Sequence, residues 1–341
     1  MGRQSAVADG AGDPMESTPP RPSGSVRRTS HIDIVRTGGG SLLLEGAARD
    51  LRTSNGRASV LAEATVRADL DPQHILVRLQ PTPPAPAAQT LVGLLVGSGF
   101  RAAVDAALPD ERATSSPLHL LLDELPIAAV ISGYALLYRG AIDFQQTDAG
   151  TVKADICSGW RSDGTMMVSL RSEGRMPIPV GPIANTLESD QDPVGWHEIG
   201  PLAPGAMRRR RLVELTDGNP HAVFAMFRDT HVDGRGIETI LHEYSFTSDL
   251  EPGALTFRNC RARPRVLPWV ECPAAAASAG RLDGQQPESL RSLIGREFRG
   301  TSTCTHLNDL LRSLADLGAL ASKLVEPDAQ HRTKPYRRGV M

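Results

Sequence analysis

Apolar and polar residues alternate along several stretches of the chain, the period-2 pattern of half-buried strands. The clearest stretch, LAEATVRADLDP from Leu61 to Pro72, lies over LHEYSFTSDLEP from Leu241 to Pro252 without a gap. The overlay pairs Glu63 with Glu243 and Asp69 with Asp249. Two further β-like runs precede each copy. The first opens on arginines, Arg27-Arg28 in one copy and Arg208 to Arg211 in the other, with Asp33 answering Glu214. The second ends in an Arg-Asp pair, Arg49-Asp50 and Arg228-Asp229. Asp-Leu-Asp-Pro and Asp-Leu-Glu-Pro are turn chemistry, and each leads into a fourth strand, Ile75 to Leu79 and Ala254 to Phe257.

Both copies then become Pro- and Ala-rich, reach a glycine (Gly93 or Gly284), and continue into a helical stretch with an arginine, Arg101 or Arg291. A capped helix ends each copy. In the first, Ser116 suits the N-cap and Pro117 the first turn, and Leu118, Leu121, Leu122 and Leu125 form one apolar face. In the second, Thr303 suits the cap, and Leu307, Leu310, Leu311 and Leu314 form the face. His119 and His306 then fall in equivalent first turns. The second copy also gains the stretch RPRVLPWVECP after its fourth strand, with Trp269 and Cys272. The pattern predicts an α+β fold of two pseudo-symmetric halves, each an antiparallel sheet followed by packed helices. The halves span residues 29–130 and 208–322. A segment at 131–207 joins them, with β-like runs such as Met166 to Leu170.

Residues 1–28 are rich in Gly, Pro, Ser and charge and read as a disordered arm; residues 323–341 read as a flexible tail. With 40% hydrophobic residues the chain can build a core, and a net charge of −2 gives no field that would gather nucleic acid or anionic lipid. Neither a nucleic acid nor a membrane is an expected partner. No apolar run reaches the ~18 residues of a membrane span, and no signal pattern opens the chain. Cys157, Cys260, Cys272 and Cys304 form no CxxC, which fits free thiols in a reducing cytoplasm.

The stretch GTSTCTHLNDLLRSLADL, with Cys-Thr-His-Leu opening the last helix, resembles the family known as domain of unknown function 2889. Arg228-Asp229, Leu241 to Glu243 and Cys272-Pro273 support the resemblance. Cys157 to Trp160 and Trp196-His197 are similar to features of longer members. The resemblance implies no activity.

Three constellations could carry chemistry. At Cys304-Thr305-His306, a helix N-terminus favours a thiolate and a neutral imidazole. Beside it stands the strand set Asp229, His242 and Glu243; His242 and Glu243 face opposite ways, so one of them shares a pocket with Asp229. The first copy has Ala62 at the place of His242 and Pro117 at that of Cys304. The third is a zinc or iron site drawn from Cys272, Cys304 and His306, with His242. Arg208 to Arg211 read as a strand lead-in with solvated or ion-paired arginines, and Trp160, Trp196 and Trp269 as core or as the lining of a pocket. No P-loop or GxSxG occurs, and the glycines near Gly97 lack the strand of a dinucleotide fingerprint. The expected function is a cofactor-free enzyme acting on a hydrophobic or aromatic small molecule by acid/base chemistry, a lyase or isomerase. His306, His242, Asp229 and Cys304 would act at the reacting atoms, and Arg228, Arg291 and Trp269 would bind substrate. The alternatives are a metal-binding or iron–sulfur-handling protein using Cys304 and His306, and a non-catalytic ligand-binding module. The oligomeric state is left open.

Overall fold

The alternating runs pair into one antiparallel sheet of eight strands in the order β4-β3-β2-β1-β5-β6-β7-β8. They are β1 Ser25–Arg36, β2 Leu42–Ser54, β3 Arg57–Leu70, β4 Leu76–Thr82, β5 Met207–Thr216, β6 His221–Val232, β7 Glu238–Glu251 and β8 Thr256–Val266. The computed structural model describes residues 13–138, 152–174 and 176–325. Its helices are α1 Phe100–Ala107, α2 Pro109–Ala113, α3 Pro117–Ile131, α4 Gly133–Tyr138, α5 Thr165–Glu173, α6 Leu290–Glu297, α7 Thr305–Ser313 and α8 Leu317–Val325. The strands thus split into two groups of four, each followed by helices, and the fold is α+β.

The two groups meet at the antiparallel pair β1–β5, where Arg27 lies opposite Glu214 and Asp33 opposite Arg208. Both oppositions are ion pairs, Arg27 Nε to Glu214 Oε2 at 2.7 Å and Arg208 Nε to Asp33 Oδ1 at 2.5 Å. The shift that lays Arg27 on Arg208 also lays Asp33 on Glu214. Each ion pair is therefore the image of the other, as in an isologous dimer interface. The strands Leu61–Pro72 and Leu241–Pro252 hold the same third place in each group. They also share a bulge: the register slips just after Asp50↔Ala62 in one and just after Asp229↔His242 in the other.

One face of the sheet packs on the helices. Ile32, Leu42 and Leu44 meet Leu118, Leu121, Leu122 and Leu125 of α3, and Phe227, Tyr244 and Phe246 share a core with Leu307, Leu310, Leu311 and Leu314. Gly46 lets α3 approach β2, because a Cβ there would come within 3.1 Å of Leu121. Ser116 caps α3 by accepting from the His119 N–H at 3.0 Å, as the sequence predicts.

Buried charge runs through this same face. Arg28 grips Asp50 with two hydrogen bonds of 2.6 and 2.7 Å and reaches Asp316 with its third nitrogen. Arg209 grips Asp229 in the same way, at 2.7 and 2.8 Å, and reaches Asp309. Arg211 adds ion pairs to Glu124 and Asp309, and Arg312 holds Asp123. Of the two states expected for the arginine run, ion pairing is the one found, with Arg208, Arg209 and Arg211 buried.

The other face is covered by segments that the sequence leaves as arm and linker. Residues 13–24 lie on the protein. Arg21 pairs with Asp192, and the carbonyls of Met15 and Pro19 accept from Arg228 and Arg27. Met15, Leu187, Trp196, Leu212 and Met226 pack together there. The expected disordered arm is thus wrong from residue 13 onward, and β1 itself begins at Ser25; residues 1–12 lie outside the described residues. Met166 to Leu170 is not a strand but lies in α5, which Gly174 ends in a left-handed conformation (φ 67°). The second copy's fourth strand runs on to Val266, so the inserted stretch begins inside it. Lys323 belongs to α8 and bonds Asp50 at 2.6 Å, while the rest of the expected tail, from residue 326, lies outside the described residues. Pro117–Tyr138 is long and apolar enough to cross a membrane, contrary to expectation. It is mostly buried and holds the ion-paired Asp123 and Glu124, so it is the core helix of the first half.

Two outcomes follow from these contacts. A chain starting at Ser25 leaves Arg27 and Arg228 without their carbonyl acceptors, so chemical denaturation should show a loss of about 3 kcal/mol or more. An unchanged unfolding midpoint would count against the packed arm. Glu124 is a separate case: burial outweighs Arg211 and pushes its carboxyl up from 4.5 to about 7. Between those two values the native chain binds more protons than the unfolded chain, so this group's contribution to stability falls as pH rises through that window. Glu124→Gln should remove that slope, as read from midpoints measured at pH 5 and pH 8.

Candidate functional site

The bulge after Asp229↔His242 turns one edge of β6 and β7 toward the start of α7. There the His242 ring lies face to face with the His306 ring, centroids 3.8 Å apart and planes 19° apart. His242 Nδ1 is 3.3 Å from Asp229 Oδ2. Nδ1 is within reach of that carboxylate but poorly aligned for a hydrogen bond. Behind His306 the Phe227 ring is stacked at 6.5 Å, and the Arg209 guanidinium sits 4.8 Å over Phe227. His242 keeps 16% of its side chain exposed and His306 is half-buried, whereas Asp229 is enclosed.

The electrostatics assign states to these groups. Burial disfavours the Asp229 carboxylate, but Arg209 outweighs it and holds the carboxyl well below the usual range. Burial, reinforced by His242 alongside, pushes the His306 imidazole well below its ordinary value, so it is neutral at physiological pH. The expected thiolate at Cys304 is not supported. Burial pushes that thiol up to about 11, against the N–H groups of Leu307 and His306 that face it. Cys304 itself is the helix N-cap, in place of the expected Thr303, whose hydroxyl bonds Gly300 O. Its sulfur lies 3.9 Å from His306 Nδ1 and belongs to the core with Tyr244 and Cys272.

The first half shows the same frame closed. Asp50 receives Lys323 Nζ on its Oδ2, the oxygen that corresponds to the one facing His242. Ala62 stands at the place of His242. His119 is fully buried, with Nε2 on Asp105 at 2.8 Å and Nδ1 at 3.4 Å from Arg291. In this frame the carboxylate and the helix-start histidine of the first half are held by protein partners, and neither Ala62 nor buried His119 presents an imidazole to solvent.

The structure thus brings together His306, His242 and Asp229, with Cys304 beside them in the core. The expected substrate-binding residues lie elsewhere. Arg228 points to the opposite face of the sheet, paired with Glu243, because adjacent strand residues face opposite sides. Arg291 is held by Asp316. Trp269 packs in the core, where a Cβ on Gly159 would come within 2.9 Å of it. Sequence reasoning missed Arg209, Phe227 and Lys323. For Arg209 a signal was present, since a strand that alternates arginine with apolar residues and pairs with another such strand must bury some of its charge.

The expected zinc or iron ligands Cys304, His306 and Cys272 are not the set that converges. Among the described residues, the ligand atoms that converge are those of Asp229, His242 and His306, all within 4.8 Å of one another. An imidazole nitrogen holds an ion in its ring plane at about 2.0–2.1 Å. Rings stacked face to face direct their lone pairs along nearly parallel lines, so one ion cannot lie in both planes without a ring turning. Both oxygens of Asp229 are also occupied by Arg209.

Comparison with known proteins adds one match. Residues 207–319, from β5 into α8, match the family described as protein of unknown function (DUF2889), which bears out the family resemblance over the second half. No curated protein and no solved structure matches the chain.

The burial assigned above has direct readouts. Cys304, 5% exposed, should react with a thiol reagent at pH 8 only on unfolding, while half-exposed Cys157 reacts first. In an NMR titration the His306 ring should stay neutral through pH 6. A native Cys304 that reacts as fast as free cysteine would overturn the buried-thiol assignment.

Proposed function

We propose that the chain is a cofactor-free enzyme that moves protons on a small molecule, performing a lyase or isomerase reaction at the stacked pair His242–His306. The observation that carries this reading is the stack itself, set beside an ionised, arginine-held carboxylate in the one half where a lysine does not plug the position. An ionised carboxylate only accepts, so Asp229 fixes the proton of His242 on Nδ1 and leaves Nε2 with its lone pair. His242 Nε2 is then the base, and Asp229 stabilises the imidazolium that forms, as a positioning residue. Neutral His306 keeps one ring N–H to donate to a developing oxyanion or to return as the proton of the product. The substrate is a small molecule, expected to be hydrophobic or aromatic. Four free thiols fit a reducing, cytoplasmic setting.

A second reading has one observation in its favour. The mutual approach of ligand atoms from Asp229, His242 and His306 would suit a zinc or iron ion if the rings turned.

Proton abstraction is the step that lyases and isomerases share, so it can be tested before the substrate is known. Purified protein is incubated with a metabolite extract in D2O, and deuterium uptake at carbon is followed by mass spectrometry, together with metal analysis of the same sample. Wild type should label at least one compound, and His306→Gln or His242→Gln should label it about 100-fold more slowly. Unlabelled extracts would sink the acid/base reading. About one metal per chain, lost in the His306 variant, would establish the second reading in its place.

A further inference from the structure

A groove of about 440 Å³ runs between the helices of the two halves. Pro126, Ile127 and Val130 of α3 form one wall, and Ile294 of α6 with Phe298 forms the other. Its volume is that of a small-molecule pocket. Its polar lining is Arg101, Arg312, Asp309, Asn308, Thr305 and Ser98.

The polar groups decide what the groove accepts. Arg101 donates Nε to the Asp123 carbonyl at 2.9 Å and Nη2 to Asp309, which fixes the plane of its guanidinium. Its Nη1 has no partner among the described residues, and its side chain is 29% exposed. The surrounding acids are already shared. Asp309 serves Arg101, Arg209 and Arg211, and Asp123 serves Arg101 and Arg312. The charged residues that line the groove itself are Arg101, Arg312 and Asp309, two guanidiniums against one carboxylate. A fixed, partly unsatisfied guanidinium at an apolar cleft suits a planar oxyanion.

We propose that this groove binds a small carboxylate with an apolar body, the carboxylate on Arg101 and the body against Pro126, Ile127, Val130, Ile294 and Phe298. Binding here is measured without turnover, so the proposal stands or falls separately from the acid/base reading.

The test is calorimetric titration of the full chain with benzoate, alongside benzyl alcohol as its uncharged counterpart. Benzoate should bind saturably, and benzyl alcohol roughly ten-fold or more weakly than benzoate. Val130 is 63% exposed at the groove, so Val130→Trp fills the space without disturbing the core. That variant should keep the wild-type unfolding midpoint and lose roughly ten-fold or more in benzoate affinity. His306→Gln should bind benzoate as wild type does. Absent saturation, equal binding of the alcohol, or an unaffected Val130→Trp would each overturn the proposal. A loss confined to His306→Gln would overturn it as well, by placing benzoate at the histidines instead.

Discussion

The grip of Arg209 on Asp229 is the interaction from which both the fold and the candidate site follow. It joins β5 to β6 inside the sheet and, through Asp309, ties the sheet to α7. A buried arginine and carboxylate add little net stability over an apolar packing, because desolvation offsets their attraction. They impose geometry instead. A bidentate fork accepts one register and one helix position, and the loss of either partner strands a buried charge, which costs about 3–5 kcal/mol. The helix that carries His306 is placed by this demand as much as by its leucines.

The pseudo-symmetry makes the site interpretable. Arg28–Asp50 and Arg209–Asp229 are the same device in the two halves, down to the bulge beside the aspartate. What differs is the third group on the carboxylate. Lys323 closes one copy by donating to the carboxylate, and the His242 imidazole stands at that place in the other. A frame needed only for stability has no reason to exchange a satisfied lysine for a partly exposed imidazole stacked on a second one. The contrast separates structure from chemistry within one molecule, without reference to any other.

Much of this was legible in the residues because strand alternation and register are local signals. The gap-free overlay of Leu61–Pro72 on Leu241–Pro252 gives the equivalence of Ala62 and His242, and the strand rule allows only one of His242 and Glu243 beside Asp229, which the strand register makes His242. Other features were invisible for physical reasons. Residues 13–24 look disordered because hydrophobic content measures apolar burial, and this segment is held by carbonyls and carboxylates that satisfy arginines. Met166 to Leu170 was misread as a strand because a short apolar run has no length to separate a period of 2 from 3.6. The state of Cys304 turned on a competition between the field of the helix N-terminus and burial, and only coordinates show how completely the core encloses the sulfur.

Arg209 also limits how the site can be dissected. It serves the core through Asp309, the site through Asp229, and the back of the histidine stack through Phe227. A substitution there would remove fold and chemistry together, and a loss of function would say nothing about which came first. His242 and His306 are different. They are only partly enclosed, and their polar contacts with the core are the long ones to Asp229 and to the Cys304 sulfur. The residues that place the two imidazoles are thus distinct from the imidazoles themselves. A function confined to the two imidazoles can be removed while the buried network, and the fold it specifies, stays in place.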